Sequence, residues 1–389
     1  MISKNTALHE WLIEVRRDFH MYPEISHQEI RTTQRILEIL RGLTIDAKEL
    51  EGMTGAVGLI RGSTTGPTLG LRADIDALPI QELNDVAYRS RNEGVMHACG
   101  HDANTTIMLG AAKHLVESGL AGRIRGNVKL LFQPAEERVV GAKAMIAQGV
   151  LENPGVDRVI AGHMDTTLPV GTVGIFRTQG YASADRFTLK ITGKGVHGGR
   201  PHEGIDPIAA GSYFVTALQS VVGRNIDPAD PAVITVGKFA AGSAGNVIPE
   251  TAELEGTIRA LNKRVRDQLI KRLREITAGM KKTFSVGCDF TLQEGVPACI
   301  NDEEVATFMH SVAVELLGPK KVRYLAPIMG AEDFAYFALE RPSAIIRLGC
   351  ANPRGKRTAS LHSPHFDIDE QVLSIGVQIF TTAVERYLT

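Results

Sequence analysis

Cysteine is scarce in this chain of 389 residues: only Cys99, Cys288, Cys299 and Cys350 are present. So few thiols exclude a disulfide framework, and stability must come from burial. An excess of either charge is missing too, with 43 Lys and Arg against 44 Asp and Glu and a formal net charge of −1. Such a surface has no electrostatic reason to seek DNA, RNA or an anionic membrane. No apolar run approaches the ~18 residues of a membrane span, and residues 1–10 lack the charged-then-apolar order of a signal peptide. Short repeats and low-complexity segments are absent. The expectation is a cytoplasmic protein with no nucleic-acid or membrane partner. Its composition is that of an ordinary globular protein, 43% hydrophobic and 22% charged. The length suggests two domains, taking ~150 residues per domain as a guide.

Two amphipathic helical stretches open the chain, over residues 5–19 and 28–41, separated by the turn Tyr22-Pro23-Glu24. Short apolar runs at 68–73, 127–132, 158–161 and 344–348 read as buried strands. Residues 104–117 read as a helix with Ile107, Met108, Ala111, Ala112 and Leu115 on one face. Strands alternating with helices predict an α/β fold with a mainly parallel sheet covered on both sides. The middle of the chain has another rhythm: strand 186–192, helix 206–222, strands 232–239 and 252–259, helix 263–282 and strand 288–292. That βαββαβ order is a ferredoxin-like unit. It predicts an inserted domain over 182–296 within a discontinuous domain formed by 1–181 and 297–389.

Residues of metal-binding type gather where the strands of the outer domain end. Leu71-Arg72-Ala73-Asp74-Ile75-Asp76 closes one strand, and Phe132-Gln133-Pro134-Ala135-Glu136-Glu137 closes another. Met96-His97-Ala98-Cys99-Gly100-His101-Asp102 precedes a helix, Gly162-His163 follows a strand, and Leu361-His362-Ser363-Pro364 lies near the end. Strand carboxyl ends form the ligand crevice of open α/β sheets, so Cys99, His101, Glu137, His163 and His362 are candidate metal ligands. Singly, His163 or His362 reads more simply as a satisfied core histidine, and Cys288, Cys299 and Cys350 as small buried hydrophobes. Adjacent carboxylates at a buried edge are costly without a cation. Arg138 would serve Glu136-Glu137, but a metal accounts for the carboxylates and histidines together.

These segments resemble the M20 metallopeptidase family, in the branch of aminoacylases, hippurate hydrolases and auxin-conjugate amidohydrolases. Leu71 to Ile80, Met96 to Asp102, Phe132 to Glu137, Asn246-Val247-Ile248-Pro249, Met329-Gly330-Ala331-Glu332-Asp333-Phe334 and His362-Ser363-Pro364 carry the resemblance over nearly the whole chain. It implies two divalent ions per subunit (Zn²⁺, Mn²⁺, Co²⁺ or Ni²⁺), bridged by the Cys99 thiolate. His101 and Glu137 would complete one site, His163 and His362 the other. Glu136 would be the general base for an activated water, and Asp76 would orient a liganding histidine, with a strand-end turn as its plain alternative. The inserted domain would serve as lid and homodimer interface. Its His197, in Gly195-Val196-His197-Gly198-Gly199-Arg200-Pro201-His202, would stabilise the oxyanion. Asn246 and Arg259 would hold substrate, Arg259 through a bidentate grip on a carboxylate, and Met329-Gly330 would line the pocket.

The implied reaction is metal-dependent amide hydrolysis of a small N-acyl-L-amino acid. Alternatives are a dedicated deacylase of an N-acetyl-diaminopimelate or an indole-amino acid conjugate, a dipeptidase or an aminopeptidase. A metal-free cysteine hydrolase built on Cys99 would leave Glu136, Glu137, His163 and His362 without work. Two positions depart from the branch: Asn104 replaces its usual histidine, and Asp165 stands where relatives carry apolar residues.

Overall fold

A computed structural model describes residues 6–352 and 359–389. The chain forms two compact units, one made of Met1–Thr178, Ile300–Ala326 and Asp333–Thr389, the other of Gln179–Cys299 and Pro327–Glu332.

The first unit is built on an eight-stranded sheet. Its spatial order is Asp46–Glu49, Ala56–Arg61, Arg125–Gln133, Thr64–Asp74, Arg158–Pro169, Ser343–Ala351, Val173–Ile175 and Val322–Tyr324. The four central strands run parallel. Their apolar runs are buried almost continuously, all of 343–350 included, as a sheet covered on both faces requires. Antiparallel pairing is confined to the flanks. Helix His101–Glu117 is buried over nearly its whole first three turns, polar residues included. It packs closely on helix Gln371–Leu388, where a Cβ on Gly376 would come within 2.5 Å of Ile107. The helix starts three residues before the expected Asn104 because Gly100, at φ +87°, turns the chain straight into it. The strand expected at 158–161 continues to Pro169. Its pairing with Thr64–Asp74 stops at Ala161, while pairing with Ser343–Ala351 carries it onward.

The second unit is a four-stranded antiparallel sheet in the order Ala232–Ala241, Thr251–Ala260, Ser183–Thr192, Gly287–Val296. Helices Pro207–Asn225 and Lys263–Thr283 complete the βαββαβ sequence. Residues of Ser183–Thr192 alternate between buried and exposed, the mark of a sheet with one wet face. Phe187, Leu189, Phe214, Leu254, Leu269 and Leu273 form a core separate from that of the first unit. Asp206 and Asn262 cap the helices by accepting from Ile208 and Val265 amides. Residues 327–332 group with this unit, and the Ala182 amide donates to the Gly330 carbonyl at 2.9 Å.

Candidate metal centre

Each group of the site comes from a defined break in the sheet. Thr64–Asp74 delivers Asp74 and, just beyond its end, Asp76; Arg125–Gln133 delivers Glu136 and Glu137. His163 lies inside Arg158–Pro169, opposite Arg347 and past the point where the neighbouring strand leaves. Gly100 holds Cys99 and His101 on either side of a left-handed turn. His362, at φ +65°, is tied to this turn through its own amide, which donates to the Ala98 carbonyl at 2.8 Å.

Donor atoms meet around the Cys99 sulfur. His163 Nε2 lies 3.6 Å from it and His362 Nε2 3.3 Å. Glu137 Oε1 is 3.4 Å from His362 Nε2 and 4.0 Å from His101 Nε2. Two trios share the sulfur, Cys99–His101–His163 and Cys99–Glu137–His362, each with its donor atoms within 4.8 Å of one another. The first trio sets His101 beside His163 and the second Glu137 beside His362, while His101 also groups with Glu136 and Glu137. His101 donates from Nδ1 to the Asp76 carbonyl at 2.9 Å and His163 from Nδ1 to the Met164 carbonyl at 2.9 Å. Both rings thereby direct Nε2 to the cluster. The Asp76 carboxylate lies 3.3 Å from His101 Nδ1 and accepts from Ser26 Oγ at 2.7 Å and the Glu137 amide at 3.1 Å. Glu136 Oε2 is 3.9 Å from His101 Nε2.

The electrostatics call for a cation. Burial and the Glu137 charge push the Cys99 thiol up to about 12. Burial opposes a charged His101, yet Asp74, Cys99 and Asp76 outweigh it and raise that ring well above its ordinary value. Burial and Arg347 push His163 down to about 3. Buried His101 Nε2 and Glu137 Oε1 have no hydrogen-bond partner among the described residues. Buried polar atoms without partners are costly. One thiolate, three imidazoles and a carboxylate suit Zn²⁺, and also Mn²⁺, Co²⁺ or Ni²⁺. The residues present therefore fit divalent metal ions.

Several supporting groups carried no role in the sequence. Arg72 donates to Asp74 (2.7 Å), Gln133 (2.7 Å) and Asp333 (3.1 Å). Asn104 donates to Asp74 Oδ1 at 2.7 Å, so it serves the strand end. Asp165 is occupied by Arg347 at 3.2 Å and by the Thr167 amide and hydroxyl. Asp74 and Asp333 appear in the sequence only as motif letters and Asp165 only as a departure from the branch; their partners lie up to 261 residues away. Glu29, buried and bonded to Ala135 and Thr54, had no signal beyond an acidic residue before a helix.

In the second unit His197 pairs with Val247 on a short two-stranded ribbon, and its Nδ1 accepts from the Gly199 amide at 3.0 Å. Asn246 is exposed, and its carbonyl accepts from the Gly198 amide at 2.8 Å. Arg259 lies on Thr251–Ala260, half-buried, lowered by burial and by Arg186. Gly330 has room for a Cβ, with Ile328 at 3.7 Å. Among the described residues no helix is long and apolar enough to cross a membrane.

Residues 70–386 match the model of peptidase family M20/M25/M40. The chain is 38% identical to the N-acetyl-L-cysteine deacetylase of Bacillus subtilis (strain 168), covering 98% of this chain and 89% of that protein. It is 37% identical to thermostable carboxypeptidase 1 of Saccharolobus solfataricus, covering 95% and 93%. A crystal structure of a dinuclear metal binding peptidase of the M20 family from Bacillus subtilis superposes with a TM-score of 0.86 at 33% identity, over 98% of this chain and 99% of that one.

Proposed function

The chain belongs to peptidase family M20/M25/M40, and from that premise we propose a metal-dependent hydrolase that cleaves the amide bond of N-acyl-L-amino acids. The observation that carries this is the convergence of Cys99, His101, Glu137, His163 and His362 with Glu136 beside them. Two divalent ions held by those five residues would polarise the scissile carbonyl and lower the pKa of a water. Glu136 takes a proton from that water and passes it to the leaving nitrogen, while the hydroxyl adds to the carbonyl carbon. Products are a carboxylic acid and a free amino acid. Asp76 acts by orienting His101. In the second unit we assign oxyanion stabilisation to His197 and substrate holding to Asn246, Arg259 and Gly330. The same proposal makes the second unit, centred on 182–296, a lid and homodimer interface, and places the enzyme in the cytoplasm.

The name of the Saccharolobus relative supports a second substrate class, peptides with a free C-terminus. Chemically the two classes share an amide nitrogen on a residue bearing an α-carboxylate. A hydrolysis screen over N-acetyl, N-benzoyl, N-lauroyl and indole-acetyl amino acids and N-blocked dipeptides, with defined metals, separates them. Glu136→Gln should keep its metal ions and lose ~10²–10⁴-fold in kcat, the usual worth of a general base. Unchanged turnover would refute the assignment.

A further inference from the structure

Glu29 stands immediately before helix Ile30–Gly42, in the position from which a short polar side chain ordinarily caps the first turn. It makes no such cap. Glu24 performs that task, accepting from the Arg31 amide at 3.0 Å and the Thr32 amide at 2.8 Å. The Glu29 carboxylate is turned inward instead and is fully buried. Its Oε1 accepts from the Ala135 amide at 2.8 Å, and its Oε2 from the Thr54 hydroxyl at 2.6 Å. The Glu29 carbonyl accepts from the Thr33 hydroxyl at 2.6 Å, and Thr33 Oγ1 accepts in turn from the Gly55 amide at 2.8 Å. A carboxylate in so dry a place is costly unless its bonds are needed.

The partner it reaches is unusual. Ala135 has φ +52°, a left-handed conformation that a residue with a Cβ adopts only when its surroundings impose it. It immediately precedes Glu136. On the other side of Glu136, the Glu137 amide donates to Asp76 Oδ2 at 3.1 Å, an oxygen that also accepts from Ser26 Oγ at 2.7 Å. Both amides flanking Glu136 are thus held by buried carboxylates, and both connections lead to the short segment before helix Ile30–Gly42.

We propose that Glu29 is a positioning residue for Glu136: its buried carboxylate holds the Ala135 amide and so fixes the left-handed turn that carries the base. Ser26, through Asp76, secures the other side. This rests on the assignment of Glu136 as base. Displacing a catalytic group by about 1 Å costs on the order of 100-fold, so a brace at this point acts on turnover.

The test uses the full chain with Glu29→Gln, Glu29→Ala and Glu29→Asp. Glutamine keeps the length and an acceptor for the Ala135 amide; alanine removes both contacts; aspartate keeps charge but shortens the reach, and serves should the alanine variant fail to fold. Hydrogen exchange followed by mass spectrometry on the metal-free proteins should show residues 135–137 deprotected at least about tenfold in Glu29→Ala and Glu29→Asp, and protected in Glu29→Gln. With N-acetyl-L-cysteine as probe, or the best substrate of the screen above, kcat should fall about 10–100-fold in the first two at similar KM and metal content. Glu29→Gln should restore it. Unchanged protection, or lost protection with full kcat, overturns the brace while an inactive Glu136→Gln leaves the base standing. A fully active Glu136→Gln removes the base assignment and the brace with it.

Discussion

At the scale of single residues, burial and neighbouring charges favour protons on Cys99 and His101, which a bound cation must displace. Burial and Glu137 push the thiol up to about 12, and Asp74 and Cys99 raise His101 against its burial. A divalent ion needs the thiolate and a free Nε2, so loading must expel both protons. Calorimetric titration of the metal-free protein with Zn²⁺ at pH 7, in buffers of different ionisation enthalpy, should report a net release of protons on loading. Affinity should weaken as pH falls, because protons then compete better for both groups. Cys99→Ser should release about one proton fewer; a pH-independent affinity would contradict these protonation states. The ligands themselves were legible in the sequence, because cysteine and histidine are rare and here stand beside turns. Glu29 and Asp74 were not. A carboxylate that works by being buried reads in a sequence like any surface charge, and only the partners distinguish it.

At the scale of elements, the metal loop depends on three helices meeting at one ion cluster. Asp102, in the first turn of His101–Glu117, accepts from Arg16 Nε at 2.8 Å on Thr6–Met21 and lies 2.7 Å from His20 Nδ1. Arg16 also reaches Asp367 and Glu370 at the approach to Gln371–Leu388. Burial would raise the Asp102 carboxyl, but Arg16 and His20 hold it far below the usual range. Its stabilisation is therefore present above the ordinary carboxylate value of ~3.9 and is lost only as pH falls through the lower folded value. Arg16→Ala should strip that buried charge of its guanidinium and leave it only His20, costing ~3–5 kcal/mol at neutral pH. Urea denaturation at pH 7 measures it, and a loss below ~1 kcal/mol would contradict the burial argument. Periodicity revealed the buried central strands and the βαββαβ order, since both depend on apolar spacing. It stopped the strand carrying His163 eight residues short of Pro169. Beyond Ala161 that strand has a partner on one side only, and its sequence turns polar where the site begins.

At the scale of the whole molecule, all five candidate ligands belong to the first unit, and the two units have separate apolar cores. Binding stabilises only what folds to make the site. Two divalent ions, each at about 100 times its Kd, should together add about 5 kcal/mol to the first unit, a rise of about 10–20 °C in its unfolding temperature. Nothing in that linkage favours the second unit. Calorimetry of the full chain, with exchange of peptides from 183–296 and from 101–169 as reporters, should show a single metal-sensitive transition confined to the latter. Chelation should reverse it. Equal shifts in both sets of peptides would mean either that the units unfold as one body or that cations bind outside the Cys99 cluster. Repeating the titration with Cys99→Ser decides between those two, because only the first preserves dependence on this sulfur in both units.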